Sequence, residues 1–180
     1  MKPFILLITI AALAPLHAAD RMAKQTAAPA REIPNELIDY PQYLRIAREV
    51  QPVRAKRRLT EEQFAAMAAE PGTVVLDARS ADKFRLRHIR GAVSLPFTDF
   101  TAESLAKAIP AKTTRVLIYC NNNFRGAPVS LGAKAAPASL NISTYVALAT
   151  YGYTNVYELG PLLDVKTTKL AFDGDEVMTK

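Results

Sequence analysis

The hydrophobic positions of the chain alternate between two kinds of spacing along its length. Short runs of consecutive apolar or β-branched residues predict strands, and apolar residues three or four positions apart predict helices. The predicted strands are TVVLDAR, GAVSLPF, RVLIYC and NVYEL, and the segments between them with helical spacing are SADKFRLRH, TAESLAKAIP and NISTYVALATYGY. Strands that alternate with helices predict an α/β fold, in which a mostly parallel central sheet carries helices on both faces.

Two further helices are predicted before the first strand. The segment YPQYLRIAREVQPV, residues 40–53, is predicted to form a short amphipathic helix that ends at Pro52. Its apolar residues at helical spacing are Tyr43, Ile46, Ala47 and Val50. The segment LTEEQFAAMAAEPG is predicted to begin with a capping box formed by Thr60 and Gln63. The apolar face of this second helix is formed by Phe64, Met67 and Ala68.

The run RVLIYC is apolar on consecutive residues, which predicts a strand that is buried on both faces. It ends at Cys120, the single cysteine of the chain, and a polar loop follows. Ligands of parallel sheets bind outside the carboxyl ends of the strands, so Cys120 stands where chemistry is expected. The alternative is that Cys120 is a small buried hydrophobic residue, which is typical of a lone cysteine at the end of an apolar strand.

Asparagines dominate the loop NNNFR that follows Cys120. Asparagine adopts left-handed backbone geometry more readily than most residues, so the loop is expected to curl with successive amide groups pointing inward. Such a concavity binds anions. A thiolate at its centre, near a cation such as Arg125, would be stabilised without help from a histidine.

The N-terminus, MKPFILLITIAALAPLHAAD, has the pattern of a secretory signal peptide. Lys2 precedes an apolar run at 4–13, Pro15 interrupts it, and cleavage is expected after Ala18 or Ala19. A retained membrane anchor is the alternative, but the uncharged stretch 3–19 is shorter than the roughly 20 apolar residues that a spanning helix needs. The sequence therefore predicts a periplasmic or secreted protein with no stable membrane anchor after cleavage.

The chain of 180 residues has a formal net charge of +6, which favours contact with anions without selecting among them. Its densest basic run, RAKRR at 54–58, is either a solvated linker or a patch that attracts anions. Nucleic-acid binding is not expected, because the protein is predicted to be exported and no aromatic residues are interleaved with the basic run. After cleavage one histidine and one cysteine remain, too few for a zinc site, so we predict neither a metal nor a cofactor.

Four motifs together resemble the rhodanese domain family over about residues 59–165. They are Leu76-Asp77-x-Arg79, His88-Ile89-x-Gly91-Ala92, a loop that begins at Cys120 and has Arg125 at its sixth position, and Gly152-Tyr153-x-x-Val156. Cysteine phosphatases, which are structural relatives of that family, place the loop arginine one position later, where this chain has Gly126. The spacing therefore favours sulfur chemistry over phosphate chemistry.

The resemblance implies a sulfurtransferase in which Cys120 takes the outer sulfur of a donor such as thiosulfate and passes it to an acceptor such as cyanide or a thiol. It also implies roles for the neighbouring residues. Asp77 and Arg79 would pair to support the sheet edge, and His88 would make a structural hydrogen bond, with a role as catalytic base as the alternative. The residues implied to bind the persulfide and the anionic donor are Asn121, Asn122, Asn123, Phe124 and Arg125.

The largest departure from the family is an extra stretch after the loop, GAPVSLGAKAAPASL, residues 126–140. In the family a helix starts directly after the cysteine loop. Here either Ser139 begins the next helix, with its N-terminus far from Cys120, or Pro128 opens a short extra helix that ends at Pro137. The stretch itself is either a lid with Lys134 facing the site or a surface decoration.

The sequence thus predicts four regions: a signal peptide at 1–18, an N-terminal extension at 19–58, a rhodanese-like domain at 59–170 and a mobile polar tail at 171–180. The first functional hypothesis is an exported sulfurtransferase that acts on a small sulfur-containing anion and a thiol acceptor. The second is a catalytically weak module that binds a small anion, or a protein partner through the N-terminal extension, with RAKRR as a docking element.

Overall fold

The computed structural model of the chain describes residues 33–178, so the predicted signal peptide lies outside the described residues. The chain divides into two units, Met1–Ile38 and Asp39–Lys180. Within 33–38 of the first unit, the Asn35 side chain accepts a hydrogen bond from the Leu37 backbone N–H at 3.0 Å. No helix among the described residues is long and apolar enough to span a membrane.

The second unit is built on a five-stranded sheet in the order β1-β7-β5-β2-β4, and every neighbouring pair is parallel. Its strands are β1 (Arg58–Leu59), β2 (Thr73–Asp77), β4 (Val93–Ser94), β5 (Arg115–Tyr119) and β7 (Val156–Leu159). Two small ladders flank it: antiparallel β3 (His88–Ile89) with β9 (Phe172–Asp173), and parallel β6 (Phe124–Arg125) with β8 (Leu163–Asp164). The predicted parallel α/β sheet is confirmed.

Helices cover both faces of this sheet, as predicted. They are α1 (Tyr40–Lys56), α2 (Glu61–Ala68), α3 (Ala81–Leu86), α4 (Ala102–Ala108), α5 (Leu140–Thr150) and α6 (Asp175–Met178). Alternate residues of β5 point to opposite faces, so Leu117 packs in a cluster with Phe64 of α2. Val116 and Ile118 pack in a second cluster with residues of α4 and α5. Cys120 follows the central strand of a sheet that is buried from both sides.

The local signals before β2 are also present. Thr60 Oγ1 accepts from the Gln63 backbone N–H at 3.2 Å, and the Gln63 side chain accepts from the Thr60 backbone N–H at 2.9 Å. Phe64 is fully buried. Of the six two-residue strands, β4 lies in the predicted GAVSLPF, and the other five, β1, β3, β6, β8 and β9, were not predicted, because two residues carry no recognisable period.

The first helix is longer than predicted, because it continues through Pro52 to Lys56. Proline at this position removes the hydrogen bond to the Arg48 carbonyl, and Arg48 is exposed, so water can replace that bond. Arg54 then makes two 2.8 Å hydrogen bonds to buried Glu158, and Arg58 reaches the same carboxylate at 3.0 Å. The reading of RAKRR as a linker is therefore wrong, since its first residues are helical and two of its arginines hold a buried acid, and the reading as an anion-attracting patch stays a prediction.

The expected mobile tail is wrong over residues 172–178. Phe172–Asp173 pairs with His88–Ile89, and the buried Phe172 ring lies 5.3 Å from the Phe124 ring, centroid to centroid. The helix α6 follows directly. A single apolar side chain in a polar segment anchors this end of the chain, because burying a phenylalanine stabilises the fold by roughly 1.5–3 kcal/mol.

Candidate active site

Cys120 lies at the carboxyl end of β5, the central strand, and its side chain is fully buried. Its backbone N–H donates to Asn123 Oδ1 at 2.9 Å. Its Sγ atom lies 3.4 Å from the hydroxyl oxygen of Ser139. The thiol is thus buried as a structural cysteine would be, but it faces a polar group that an apolar packing role would not require.

The loop after Cys120 does not have the predicted left-handed geometry. Residues Asn121–Asn123 form one turn of 3-10 helix, and no residue other than glycine has a positive φ within 33–178. The Asn123 backbone N–H closes the turn on the Cys120 carbonyl at 3.1 Å. The prediction failed because the asparagine side chains, and not an unusual backbone, satisfy the polar groups of this loop.

Asn123 connects the end of β5 to the two elements beside it. Besides accepting from Cys120, its Oδ1 accepts from Asn141 Nδ2 at 3.0 Å in the first turn of α5. Its Nδ2 donates to the carbonyls of Leu159 at 2.7 Å and Pro161 at 3.2 Å, beyond the end of β7. The side chain is buried, so it locks the cysteine backbone to the sheet with all of its hydrogen-bonding groups engaged.

The other two asparagines hold the extra stretch of chain. We call residues 126–139, all of that stretch before α5, the inserted segment. Asn121 Nδ2 donates to the Gly132 carbonyl. Asn122 Nδ2 donates to the Lys134 carbonyl at 2.8 Å, and the Lys134 backbone N–H donates back to Asn122 Oδ1 at 3.0 Å. The three asparagines therefore position both the cysteine and the segment beside it.

The inserted segment leaves the loop and returns to it. The main helix begins after Ser139, as one alternative predicted, but its N-terminus lies beside Cys120 and not far from it. The other alternative, a helix from Pro128 to Pro137, is wrong, because only Ala136–Ala138 forms a single 3-10 turn there. The two hydrogen bonds between the Asn122 side chain and the Lys134 backbone bring the segment back to the loop.

A cavity of about 430 Å³ lies between the inserted segment and the chain that follows β2. Its walls include Lys83, Lys134 and Asn121, together with the apolar side chains of Phe97 and Leu140. Asn121 and Leu140 are the immediate neighbours of Cys120 and Ser139, although neither Cys120 nor Ser139 is among the residues that line the cavity. The cavity thus borders the residues that adjoin Cys120 and Ser139 in the chain.

Asp77 and Arg79 form a buried ion pair at the carboxyl end of β2, with Arg79 Nη2 2.5 Å from Asp77 Oδ2. Arg79 also donates to the Ser130 carbonyl at 3.0 Å, which ties the inserted segment to the sheet. The Tyr119 hydroxyl donates to Asp77. Burial raises the pKa of Tyr119 well above its ordinary value, and the charge of Asp77 raises it further, so this tyrosine remains a neutral donor.

A second link holds the inserted segment from the C-terminal end of the chain. The buried Ser130 hydroxyl donates to Glu176 Oε2 at 2.6 Å, and Arg87 Nε lies 3.4 Å from the same carboxylate oxygen. Lys83 Nζ donates to the Val129 carbonyl at 2.6 Å. Sequence reasoning missed Ser130, Ser139 and Glu176, because their partners lie far away in the chain and no local spacing marks them.

The remaining predicted site residues point elsewhere. Phe124 is buried, and its ring packs edge-on against Tyr119 with a centroid separation of 6.1 Å. The Arg125 side chain is 69% exposed, and its Nε lies 3.6 Å from Asp164 Oδ2. Substrate binding by these two residues stays a prediction, and the structure places neither side chain in a contact with Cys120.

His88 makes the kind of contact that a structural role requires. Its Nδ1 lies 2.8 Å from the carbonyl of Phe84, and the two rings stack with centroids 3.7 Å apart. Within residues 33–178, no group of three or more histidine, cysteine, aspartate or glutamate side chains is placed to hold a metal ion.

Comparison with known proteins places these features in context. A family model described as "Rhodanese-like domain" matches residues 60–160. The thiosulfate sulfurtransferase PspE of Escherichia coli strain K12 is 27% identical over 95 residues, which are 53% of this chain and 76% of that protein. A solution structure of the rhodanese-like domain of the Anabaena sp. protein Alr3790 has a TM-score of 0.50 at 16% identity, covering 69% of this chain and 83% of that one. This structural likeness concerns the fold alone.

Proposed function

The chain belongs to the rhodanese-like domain family, and from that premise we propose that it is a sulfurtransferase with Cys120 as its nucleophile. It would take a sulfane sulfur from thiosulfate or a persulfide and deliver it to a thiophilic acceptor. The observation that carries the proposal is the place of Cys120, at the carboxyl end of the central strand and next in the chain to Asn121, which lines the cavity. The similarity to a thiosulfate sulfurtransferase supports the choice of donor.

The reaction divides into two displacements on sulfur. In the first, the Cys120 thiolate attacks the outer sulfur of thiosulfate, a new sulfur–sulfur bond forms, and sulfite leaves with the electron pair of the broken bond. In the second, cyanide attacks the outer sulfur of the resulting persulfide, and thiocyanate departs while the thiolate is regenerated. Each step conserves charge and needs no oxidant or reductant, as expected for nucleophilic catalysis through a covalent intermediate.

The surroundings of the sulfur suit an anionic donor. Lys83 and Lys134 line the cavity, and the N-terminus of α5 lies beside Cys120. Cations and helix N-termini both attract anions, because each places positive charge where the anionic oxygens would lie. Since Arg125 is paired with Asp164, we assign attraction of the donor to the two lysines.

A second candidate function is favoured by one observation, the complete burial of Cys120. A sulfur that no donor reaches would leave the protein a weak or inactive module, which would bind a small anion in the cavity or a protein through its N-terminal extension. The two candidates differ in whether the inserted segment opens far enough for attack on the donor.

Thiocyanate formation from thiosulfate and cyanide separates these candidates. We expect turnover by the purified chain with parallel double-reciprocal plots when both substrates are varied, which is the pattern of a ping-pong reaction. The Cys120→Ser variant should show none, and Ser143→Ala, which alters another hydroxyl near the start of α5, should be as active as the parent chain. Absence of turnover with thiosulfate and with an organic persulfide, together with slow alkylation of Cys120 by iodoacetamide in the folded chain, would favour the binding module.

Export is the remaining part of the proposal, and it rests on the pattern of residues 2–19. We propose that the protein acts in the periplasm or outside the cell, where an unpaired thiol persists only if it is buried or used. Expression of the full chain in a Gram-negative host, followed by cell fractionation and N-terminal sequencing, tests this. A periplasmic product that begins after Ala18 or Ala19 is expected, and an uncleaved cytoplasmic product would contradict export.

A further inference from the structure

We infer that Ser139 is a catalytic residue that donates a hydrogen bond to the Cys120 sulfur. Its hydroxyl oxygen lies 3.4 Å from Sγ, within hydrogen-bonding range for sulfur. The inference rests on the proposed function, since it concerns the nucleophile of the same reaction. Ser139 belongs to the inserted segment, and none of the four family motifs of the sequence includes it.

Ser139 lies at a position where a serine hydroxyl ordinarily caps the helix. Ser139 is the N-cap residue of α5, and serine at this position usually accepts a hydrogen bond from an amide of the first helical turn. Here the side chain makes no such capping bond, and its hydroxyl is turned toward the sulfur instead. The chain thus gives up a stabilising interaction of the helix and places a donor beside the thiol.

The direction of this hydrogen bond depends on the state of the thiol. While Cys120 is neutral, either atom can donate. Once the sulfur is ionised, only the hydroxyl has a proton to give, and hydrogen bonds to ionised acceptors are stronger than neutral ones. An ion in a buried site needs such a partner, because it has lost its contact with water.

The thiolate appears twice in the reaction, first as the nucleophile and later as the leaving group. In the second step its bond to the outer sulfur breaks, and the negative charge returns to the Cys120 sulfur, within reach of the Ser139 hydroxyl. A donor at this position therefore stabilises the charge that develops on the sulfur at the end of the cycle as well as at its start.

The substitution of Ser139 leaves the charged groups around the sulfur in place. They are the Asp77–Arg79 pair at the end of β2, Lys83 from α3, Lys134 from the inserted segment, and Arg125, which is paired with Asp164, from β6. The first turn of α5 carries no acidic side chain. A change in the pH dependence of thiol reactivity on removal of a neutral hydroxyl would therefore report on the sulfur itself.

The test is the rate at which iodoacetamide alkylates Cys120 in the full chain, measured from about pH 5 to pH 10. In Ser139→Ala we expect the midpoint of the pH–rate profile to move up by about one pH unit, and the rate at neutral pH to fall about tenfold, from loss of one charge-assisted hydrogen bond. Ser139→Thr keeps a hydroxyl and should restore the parent profile. Ser143→Ala, which leaves the Ser139 hydroxyl in place, should not move it.

The pH–rate profile distinguishes a change in access to the buried sulfur from a change in the hydrogen bond to it. An altered opening of the inserted segment multiplies the rate equally at every pH, whereas loss of the hydrogen bond moves the midpoint. Ser139→Gly provides a second variant without a hydroxyl, because glycine is tolerated at a helix N-cap even where alanine is not. An unchanged midpoint in either variant would overturn the inference.

Sulfur transfer gives an independent readout of the same residue. Ser139→Ala should lower kcat for thiocyanate formation at neutral pH about tenfold and leave the KM for thiosulfate within about twofold, since the hydroxyl contacts the nucleophile and not the donor. A parent chain without turnover, together with a shifted alkylation midpoint, would refute the proposed function and leave the hydrogen bond established. Turnover in the parent chain with no midpoint shift would refute only the role of Ser139.

Discussion

Cys120 is held between two regions that are built in opposite ways. On the sheet side, the buried Asn123 side chain joins the cysteine backbone to the ends of β7 and α5. On the other side, most polar links to the inserted segment run through side chains at or near the surface, those of Asn121, Asn122 and Glu176, and one buried link joins Arg79 to the Ser130 carbonyl. Buried polar groups are costly to leave unpaired, whereas exposed ones exchange readily with water.

The sheet side and the inserted segment therefore contribute differently to the site. The sheet side fixes the position of the thiol and has no freedom to move, because every group of Asn123 is engaged. The inserted segment contributes the hydroxyl of Ser139 and one wall of the cavity. Under the proposed function, this segment is the part that would open to admit a donor to the sulfur.

Substitution on the sheet side should have the largest effect. Asn123→Ala leaves the Cys120 N–H and the Leu159 carbonyl buried without their partner, and we expect the free energy of unfolding in urea to fall by about 3 kcal/mol. Asn155→Ala is a matched control, since it removes one exposed hydrogen bond to the Thr113 carbonyl. Equal losses of unfolding free energy in the two variants would contradict the distinction between the sheet side and the inserted segment.

Substitution on the segment side should change access more than stability. In Glu176→Ala the buried Ser130 hydroxyl loses its partner, but the removed side chain is partly exposed and water can take its place, so we expect the free energy of unfolding to fall by about 1 kcal/mol. The alkylation rate of Cys120 should rise about fivefold at every pH, the factor that 1 kcal/mol provides. Glu176→Gln keeps an acceptor oxygen and should resemble the parent chain. A Glu176→Ala variant that alkylates no faster would show that this link does not control the opening.

Arg125 belongs to neither of the two regions that hold Cys120, and its substitution should have the smallest effect. Its exposed pair with Asp164 is expected to contribute within about 0.5 kcal/mol of stability. Arg125→Ala should leave the KM for thiosulfate within about twofold, whereas Lys83→Ala, which removes a cation of the cavity wall, should raise it several-fold. If Arg125→Ala loses activity and Lys83→Ala does not, Arg125 has the anion-binding role that the family motif predicts.

The features that could be predicted from the sequence are those that neighbouring residues determine. The burial of β5 follows from its run of consecutive apolar residues, and the start of α2 follows from Thr60 and Gln63 three positions apart. The position of Cys120 at the carboxyl end of a central strand follows from the same local pattern. Periodicity identifies elements well, because it is a property of a single segment.

The features that could not be predicted depend on partners that are distant in the chain. Arg54 meets Glu158 across 104 positions, and that contact explains why the first helix continues past Pro52. Ser139 returns to Cys120 because the side chains of Asn121 and Asn122 bind the inserted segment, and no spacing rule encodes such a return. The position of the proposed nucleophile was therefore accessible from sequence, while the residues that surround it were not.

The central claim, that Cys120 carries the transferred sulfur, is tested most directly by the intact mass of the protein after exposure to thiosulfate without an acceptor. We predict that the parent chain gains the mass of one sulfur atom on Cys120, that cyanide removes it, and that Cys120→Ser gains nothing. The contradicting result is an unchanged mass with thiosulfate and with an organic persulfide, in a preparation whose Cys120 is fully alkylated by iodoacetamide under the same conditions.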